Sequence, residues 1–292
     1  MPSDALLSAA HAPRDEYSVL TGGDDLGDVF SRVSAIMYEI SGVNLTDGKK
    51  ELVRARLGKR MRALGWVSFE DYVAFVESDG GREELARMVD ILTTNKTGFF
   101  RELPHFEFLR DKVLPSFSDR ATPLRIWSAG CSSGEEPYSL AILLRQVFKD
   151  TDRRDIRILA TDLSRQVLEK AREGIYDEAQ MEGIPADLRK RFFHREVGDE
   201  PGAPRYQVNG DVRSLVTLAP LNLMDEWPMK GPFDLIMCRN VMIYFDRATK
   251  ERLIHRFTQL LPQGGYLLVG HSESLNGLAH DLEYIQPAVY RK

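Results

Sequence analysis

Leu124 to Leu140 reads LRIWSAGCSSGEEPYSL, and its pattern decides the fold. An apolar strand, Leu124 to Ser128, runs into a tight Gly/Ser loop that opens a helix. Glu135 and Glu136 fall in the first turn of that helix, and Pro137 sits where a missing N–H costs least. Open α/β sheets hold nucleotide-like ligands at such strand–loop–helix corners, beyond the strand carboxyl ends. The spacing here is Gly130-x-x-x-Gly134, not G-x-G-x-x-G or a phosphate-binding loop ending in Lys-Ser/Thr. Two carboxylates also occupy the helix start that a phosphate would use. An acidic mouth suits a ligand with positive charge, an amine or a sulfonium. Taken alone, the stretch also reads as a plain structural corner with capping glutamates.

After this corner, strands and helices alternate, the sign of a parallel α/β sheet. Tyr138 to Phe148 reads as helix, and Ile156 to Thr161 as a second strand ending in Asp162. An acidic residue at that strand tip is where ribose hydroxyls are held, although the offset from the loop exceeds the usual ~20 residues. Asp162 also reads as a helix cap shared with Ser164, ahead of a helix over Arg165 to Arg172. Residues 174–218 break the rhythm. A basic helix, Ala186 to Phe193, is followed by the Gly/Pro segment 198–204. Tyr206 to Val208 and Val212 to Leu218 then flank Asn209-Gly210-Asp211, which predicts a hairpin in a small antiparallel insertion at 190–218. Its edge could accept a peptide by strand addition, or it is decoration. Further strands are expected at Phe233 to Cys238, Tyr266 to Gly270 and Tyr284 to Arg291, the last as a single closing edge strand. Gly270-His271-Ser272-Glu273-Ser274 has the outline of a hydrolase elbow but lacks its final glycine, which excludes a serine hydrolase.

Upstream, apolar residues at helical spacing predict helices over Asp28 to Ile40, Asp47 to Leu64, Phe69 to Val76 and Glu84 to Leu92. The second carries the stripe Val53, Leu57, Met61 and Leu64. Lys49, Arg56, Lys59 and Arg60 lie beside it, within seven basic residues and one acidic one between Lys49 and Arg62. That bias in an acidic chain suggests docking to an acidic partner; a solvated helix face is the plainer reading. Residues 26–93 are thus expected as a helical domain, 94–103 as a linker, and 104–292 as the α/β domain. Residues 1–25 lack periodicity and read as a mobile tail. Thr93 to Arg101, TTNKTGFFR, is either plain linker or a lid over a ligand.

The 292 residues carry a net charge of −5, which does not favour bulk attraction to nucleic acid or membrane. No apolar run approaches the roughly 18 residues of a membrane helix. The first residues lack the basic start of a signal peptide. Two cysteines, Cys131 and Cys238, suit a reducing cytosol. The six histidines show no ligand spacing, and no metal site is expected.

Together the motifs resemble the CheR family, the chemoreceptor glutamate methyltransferases, over about residues 28–292. The resemblance is carried by Thr94-Asn95-Lys96-Thr97 with Phe99-Phe100-Arg101, and by Ser128-Ala129-Gly130 with Gly134-Glu135-Glu136-Pro137-Tyr138-Ser139. It continues in Ala160-Thr161-Asp162, Cys238-Arg239-Asn240-Val241 with Ile243-Tyr244-Phe245, and Gly270-His271-Ser272-Glu273-Ser274. It implies a class I, Rossmann-like methyltransferase domain with a mixed, mostly parallel sheet behind an all-helical N-terminal domain. It implies S-adenosylmethionine (SAM) as methyl donor, S-adenosylhomocysteine as product, and glutamyl methyl esters on the cytoplasmic helices of chemotaxis receptors. It implies cofactor contacts from Asn95, Thr97 and Arg101, with Glu135 on the amino acid end and Asp162 on the ribose. Asn222, Leu223, Arg239 and Asn240 would line the remainder, with Arg101 and Tyr244 next to the reacting methyl group. It implies receptor docking by the basic helix, with Lys49, Arg56, Lys59 and Arg60, and in some members capture of a receptor C-terminal peptide by the β insertion. A cytoplasmic monomer is expected. The competing readings are a class I methyltransferase acting on nucleic acid or a small molecule, and a SAM-binding adaptor without turnover. The [DNS]-P-P-[YFW] motif of amino-methylating enzymes is absent.

Overall fold

The computed structural model describes residues 26–119, 121–196 and 204–292. The expected tail, 1–25, and most of the Gly/Pro segment lie outside them.

Four helices come first: α1 (Leu26–Ser41), α2 (Lys50–Leu64), α3 (Phe69–Glu77) and α4 (Arg82–Leu92). Their boundaries follow local chemistry. Gly65 ends α2 in the left-handed conformation, φ 79°, and the Ser68 hydroxyl caps α3 by accepting the Asp71 N–H at 3.2 Å. Val53, Leu57 and Met61 of the predicted stripe are buried, whereas Leu64, in the last turn, is 43% exposed.

The chain then passes through α5 (Leu103–Phe108), a single π-type turn, Leu109–Val113, and a short 3-10 turn, into β1 (Leu124–Ala129). The sequence continues as α6 (Glu135–Val147), β2 (Ile156–Asp162), α7 (Arg165–Glu173), β3 (Ile175–Asp177), α8 (Ala186–Phe192), β4 (Phe193–Glu196) and β5 (Arg205–Val208). It closes with α9 (Gly210–Arg213), β6 (Val216–Pro220), β7 (Leu235–Cys238), α10 (Arg247–Leu260), β8 (Tyr266–Val269), β9 (Glu283–Gln286) and β10 (Val289–Arg291).

Seven strands form one sheet in the order β6-β2-β1-β7-β8-β10-β9, with β10 antiparallel to both neighbours and the other ladders parallel. Strand order reverses at β1/β7, so their carboxyl ends open a crevice there. Alternation along β1 sorts the two faces. Trp127 and Ala129 join Ile236, Leu267 and Phe257 in one core, which continues without a break into Val33, Met37, Leu57 and Met61 of the helical domain. Ile126 joins Met237, Leu268, Leu140 and Phe106 in the other. Trp127 is fully buried, edge-on to Trp227 at 4.8 Å, and its indole N–H donates to Thr161 Oγ1 at 2.9 Å.

Two expectations fail. Asn209-Gly210 does not turn a hairpin: it opens the helical turn α9, and Val216–Pro220 leaves to pair in parallel with β2, Ile158 opposite Val216. The small antiparallel sheet is instead β3-β5-β4, so it begins at Ile175 and ends at Val208. Asn209 Nδ2 donates to the Arg191 carbonyl at 3.0 Å, so its side chain is tied back to α8 and makes no hydrogen bond to the first turn of α9. Likewise the single closing strand is a hairpin, β9–β10, turned at Pro287-Ala288 with Ala288 at φ 63°.

Candidate active site

Three loops and the linker meet over the β1/β7 crevice. The cleft between them is lined by Asn95, Thr97, Arg101, Asp162, Asn222, Leu223, Arg239, Asn240 and Tyr244, all singled out in the sequence. Lys49 also lines it, from the turn before α2.

The loop after β1 can lie this close to the loop after β7 because Gly130 has no side chain. A Cβ there would stand 2.5 Å from Val241 Cγ2, and φ is 84°. At the tip of β2, the Asp162 carboxylate accepts the Ser132 N–H at 2.8 Å and the Ser164 N–H at 2.9 Å. It therefore braces Ser164, the N-cap of α7, and also lines the cleft. Burial pushes its carboxyl up, opposed by those backbone N–H groups.

Glu135 does not line the cleft; Glu136 does. Glu135 is 2% exposed, and its hydrogen-bond partners are neutral: Ser133 Oγ at 2.7 Å and Gln180 Nε2 at 3.1 Å. Burial pushes its carboxyl up, against those hydrogen bonds. A buried carboxylate held by neutral donors fits a cationic ligand, since an ammonium would offset its desolvation. Glu136 is already matched: Oε1 accepts from Ser128 Oγ at 2.7 Å and Oε2 from Arg239 Nη1 at 2.9 Å.

Arg239 is the hub of this wall. Its Nη2 donates to Glu102 Oε2 at 2.9 Å and to the Arg101 carbonyl. Glu102 Oε1 accepts from Asn240 Nδ2 and the His271 N–H, each at 3.3 Å. Burial raises the Glu102 carboxyl, but the Arg239 hydrogen bond and charge carry it below the usual carboxylate range. His105 lies underneath, fully buried, with no hydrogen bond to either ring nitrogen, its Nδ1 3.4 Å from Glu102 Oε2 and its ring edge-on to His271 at 4.7 Å. Glu102, His105 and His271 bring ligand atoms within 4.8 Å of one another, a grouping their spacing in the sequence conceals. The guanidinium on Glu102 already supplies the cation, and a metal ion would face its repulsion.

The linker is pinned at several points. Ser132 Oγ donates to the Asn95 carbonyl at 3.0 Å, and Arg101 Nη1 donates to the Lys96 carbonyl at 2.6 Å. The Phe100 N–H donates to Ser139 Oγ at 2.9 Å. On the opposite rim, the buried carboxylate of Glu273 accepts the N–H groups of Asn240 and Gly270 at 2.6 Å and of Ile243 at 3.0 Å. The motif that resembles a hydrolase elbow thus holds the turn carrying Tyr244. The Tyr244 carbonyl accepts the Asn44 N–H at 2.8 Å, and Asn222 Nδ2 donates to the Ile40 carbonyl at 2.6 Å, both from the segment closing α1. With that contact made, Asn222 still lines the cleft.

The basic helix is less free than its composition suggests. Arg56 Nη1 donates to the carbonyls of Ile91, Leu92 and Thr93 at 2.9–3.1 Å, closing the end of α4. Arg60 pairs with the buried Glu84 at 2.7 Å. Lys49 and Lys59 remain exposed. Glu102, Glu136, His105 and Glu273 were not singled out as site residues in the sequence. Their partners lie far away in the chain, and only the motifs containing Glu136 and Glu273 hinted at them.

Cys131 and Cys238 are unpaired and buried, and burial holds both thiols well above their usual range, which removes them as nucleophiles. Among the described residues no helix is long and apolar enough to cross a membrane.

Residues 28–93 match the CheR methyltransferase all-alpha domain, and residues 95–290 the CheR methyltransferase SAM binding domain. A chemotaxis protein methyltransferase of Borreliella burgdorferi is 41% identical over 273 residues, covering 91% of this chain and 94% of that protein. A probable chemotaxis protein methyltransferase of Rhizobium etli is 44% identical over 260 residues, 88% and 96% of the two chains. The chemotaxis protein methyltransferase of Escherichia coli is 39% identical over 250 residues, 85% of each. With both matched domains spanning nearly the whole chain, and the cleft set at the β1/β7 crevice of a class I sheet, this protein belongs to the CheR methyltransferase family.

Proposed function

We propose that Arg101 and Tyr244 orient a receptor glutamate in the cleft, and that the protein accelerates methyl transfer by enclosure and alignment. The protein is a SAM-dependent methyltransferase of chemotaxis, with protein-glutamate O-methylation as its family activity. SAM, when bound, supplies a methyl group on a cationic sulfur and leaves as S-adenosylhomocysteine. The observation that carries the reading is the cleft lining itself, which gathers Asp162, Arg101 and Tyr244, with Glu135, buried and lacking a cationic hydrogen-bond partner, next in the chain to the lining residue Glu136.

In this reading Asn95, Thr97 and Arg101 hold the donor from the linker and Asp162 accepts the ribose hydroxyls. Glu135 lies outside the lining, so it takes the ammonium only as its bond to Gln180 is given up and the side chain turns toward the cleft. Leu223, Arg239, Asn240 and the loop of Asn222 complete the wall. A glutamate side chain has a pKa of about 4.3, so at pH 7 it arrives as carboxylate and needs no general base. His105 accords with this, since burial holds it down at about 4. Transfer neutralises a cation and an anion together, and excluding water favours it.

Residues 26–93 serve as the docking domain, 94–103 as the bridge over the cofactor, and 104–292 as the catalytic domain. The target is the cytoplasmic part of chemotaxis receptors, met by a cytoplasmic monomer through Lys59 and Lys49. The outer strands of the β3-β5-β4 sheet offer an edge to a receptor peptide. The test is transfer of labelled methyl from SAM to a receptor cytoplasmic fragment. The label is expected on glutamate and released by mild base as an ester. Alkali-stable label, or none, would reject the reading.

A further inference from the structure

Arg101 is flanked on both sides by backbone that L-residues avoid. Phe100 has φ 51° and Glu102 has φ 60°, both in the left-handed region and neither a glycine. Such strain persists only where the surroundings impose it, and it concentrates at functional sites. The surroundings here are explicit. Ser139 fixes the N–H of Phe100. Glu102 is gripped by Arg239, Asn240 and the His271 N–H, and the same guanidinium takes the carbonyl of Arg101. Arg239 is anchored in turn on Glu136, and Glu136 on Ser128 of β1. A continuous polar chain thus runs from the central strand to the main chain of Arg101.

Glu102 is absent from the residues that line the cleft. An effect of Glu102 on turnover must therefore pass through a residue that does reach it. Its neighbour in sequence does, and the carboxylate–guanidinium contact fixes where that neighbour's Cα stands. A lone strained residue could be an accident of a tight turn. Two of them enclosing the one linker arginine that faces the reaction cleft, each tied to a different element, set its direction from both ends.

We propose that Glu102 is a positioning residue for methyl transfer, acting on Arg101 through Arg239 and the backbone. The inference rests on the function proposed above. It is tested by a double-mutant cycle on the full chain, with initial rates on a receptor fragment and SAM affinity by calorimetry. Glu102→Gln sets an N–H against a donor in either orientation, Arg239 or the Asn240 and His271 N–H groups, and is expected to lower kcat at least tenfold while changing the SAM Kd less than threefold. In an Arg101→Ala background the same substitution is expected to change kcat less than twofold, because the residue it positions is gone. Losses that multiply would overturn the positioning role and leave the methyltransferase reading standing. An Arg101→Ala enzyme as active as wild type would overturn both the role of Arg101 and this proposal. Glu102→Gly guards against misfolding, since glycine accepts φ 60°. It is expected to melt no lower than Glu102→Gln yet lose as much turnover, and a glycine variant with wild-type kcat would sink the proposal.

Discussion

The carboxylate of Glu273 accepts the backbone N–H of Asn240 at 2.6 Å across 33 residues of sequence. With the Gly270 and Ile243 N–H groups on the same side chain, one buried anion sets the turn that carries both Asn240 and Tyr244. Gly270 has no room for a side chain there: a Cβ would lie 2.5 Å from Asn240 Nδ2 and 2.6 Å from Glu273 Oε2.

Removing that anion leaves buried donors without partners. Glu273→Ala is expected to cost about 3 kcal/mol of unfolding free energy, and Glu273→Gln, which keeps one acceptor oxygen, about half as much. Urea denaturation followed by circular dichroism measures both. An alanine variant within about 0.5 kcal/mol of wild type would contradict the assignment.

Gly130→Ala meets Val241 at 2.5 Å in a backbone conformation that disfavours alanine. About 2 kcal/mol of destabilisation is expected, with weaker SAM binding, as the loops after β1 and β7 are forced apart. Adding Val241→Ala should relieve the steric part and leave the conformational part. Thermal melts of the single and double variants, with SAM titrations, separate the two contributions.

His105 makes stability depend on pH in a defined direction. Buried, it takes a proton only near pH 4, whereas the unfolded side chain titrates near 6.5. Between those values the unfolded chain binds more protons, so stability falls as the pH drops from about 6.5 to about 4, by about 3 kcal/mol in all. His105→Phe removes the titrating ring while filling the space, and the slope contributed by this site should vanish. Denaturation midpoints from pH 7 to 4 give the comparison; an unchanged slope in the phenylalanine variant would refute the origin.

The basic helix holds two kinds of cation. Arg60 pairs with Glu84, which is 8% exposed, whereas Lys59 faces solvent. Arg60→Ala leaves the Glu84 carboxylate with the Tyr72 hydroxyl as its remaining hydrogen-bond partner and is expected to cost about 2 kcal/mol. Lys59→Ala is expected to leave the melting temperature unchanged and to raise KM for a receptor fragment, more so at low salt. A Lys59 variant with unaltered KM at low ionic strength would exclude that residue from docking.

Much of this architecture was legible because it is written in local periodicity. The helical stripes of the first domain, the Leu124–Leu140 corner and the acidic tip of β2 all follow from spacings within one or two turns. The misreadings share a cause. Asn209-Gly210 carries a strong local turn signal, but the partner of Val216–Pro220 is the open edge of β2, about 60 residues upstream, and no local pattern announces it. Among the site residues, Asp162 and Arg239 could be picked out by their motifs. Glu102 could not, because its hydrogen bonds join residues more than 130 positions apart, nor could His105, whose ring meets that of the distant His271. Basic charge along α2 was visible in composition, yet which cations are consumed internally depends on where α4 packs.

The bond from the Asn44 N–H to the Tyr244 carbonyl has a consequence for anyone dividing this protein into parts. The rim bearing the tyrosine is braced from outside the sheet, by the chain just past the first helix. A fragment starting after the four helices would retain every strand and still present a half-built reaction centre. Conversely, a pull or push on the helical lobe is delivered mechanically to the tyrosine's own main chain.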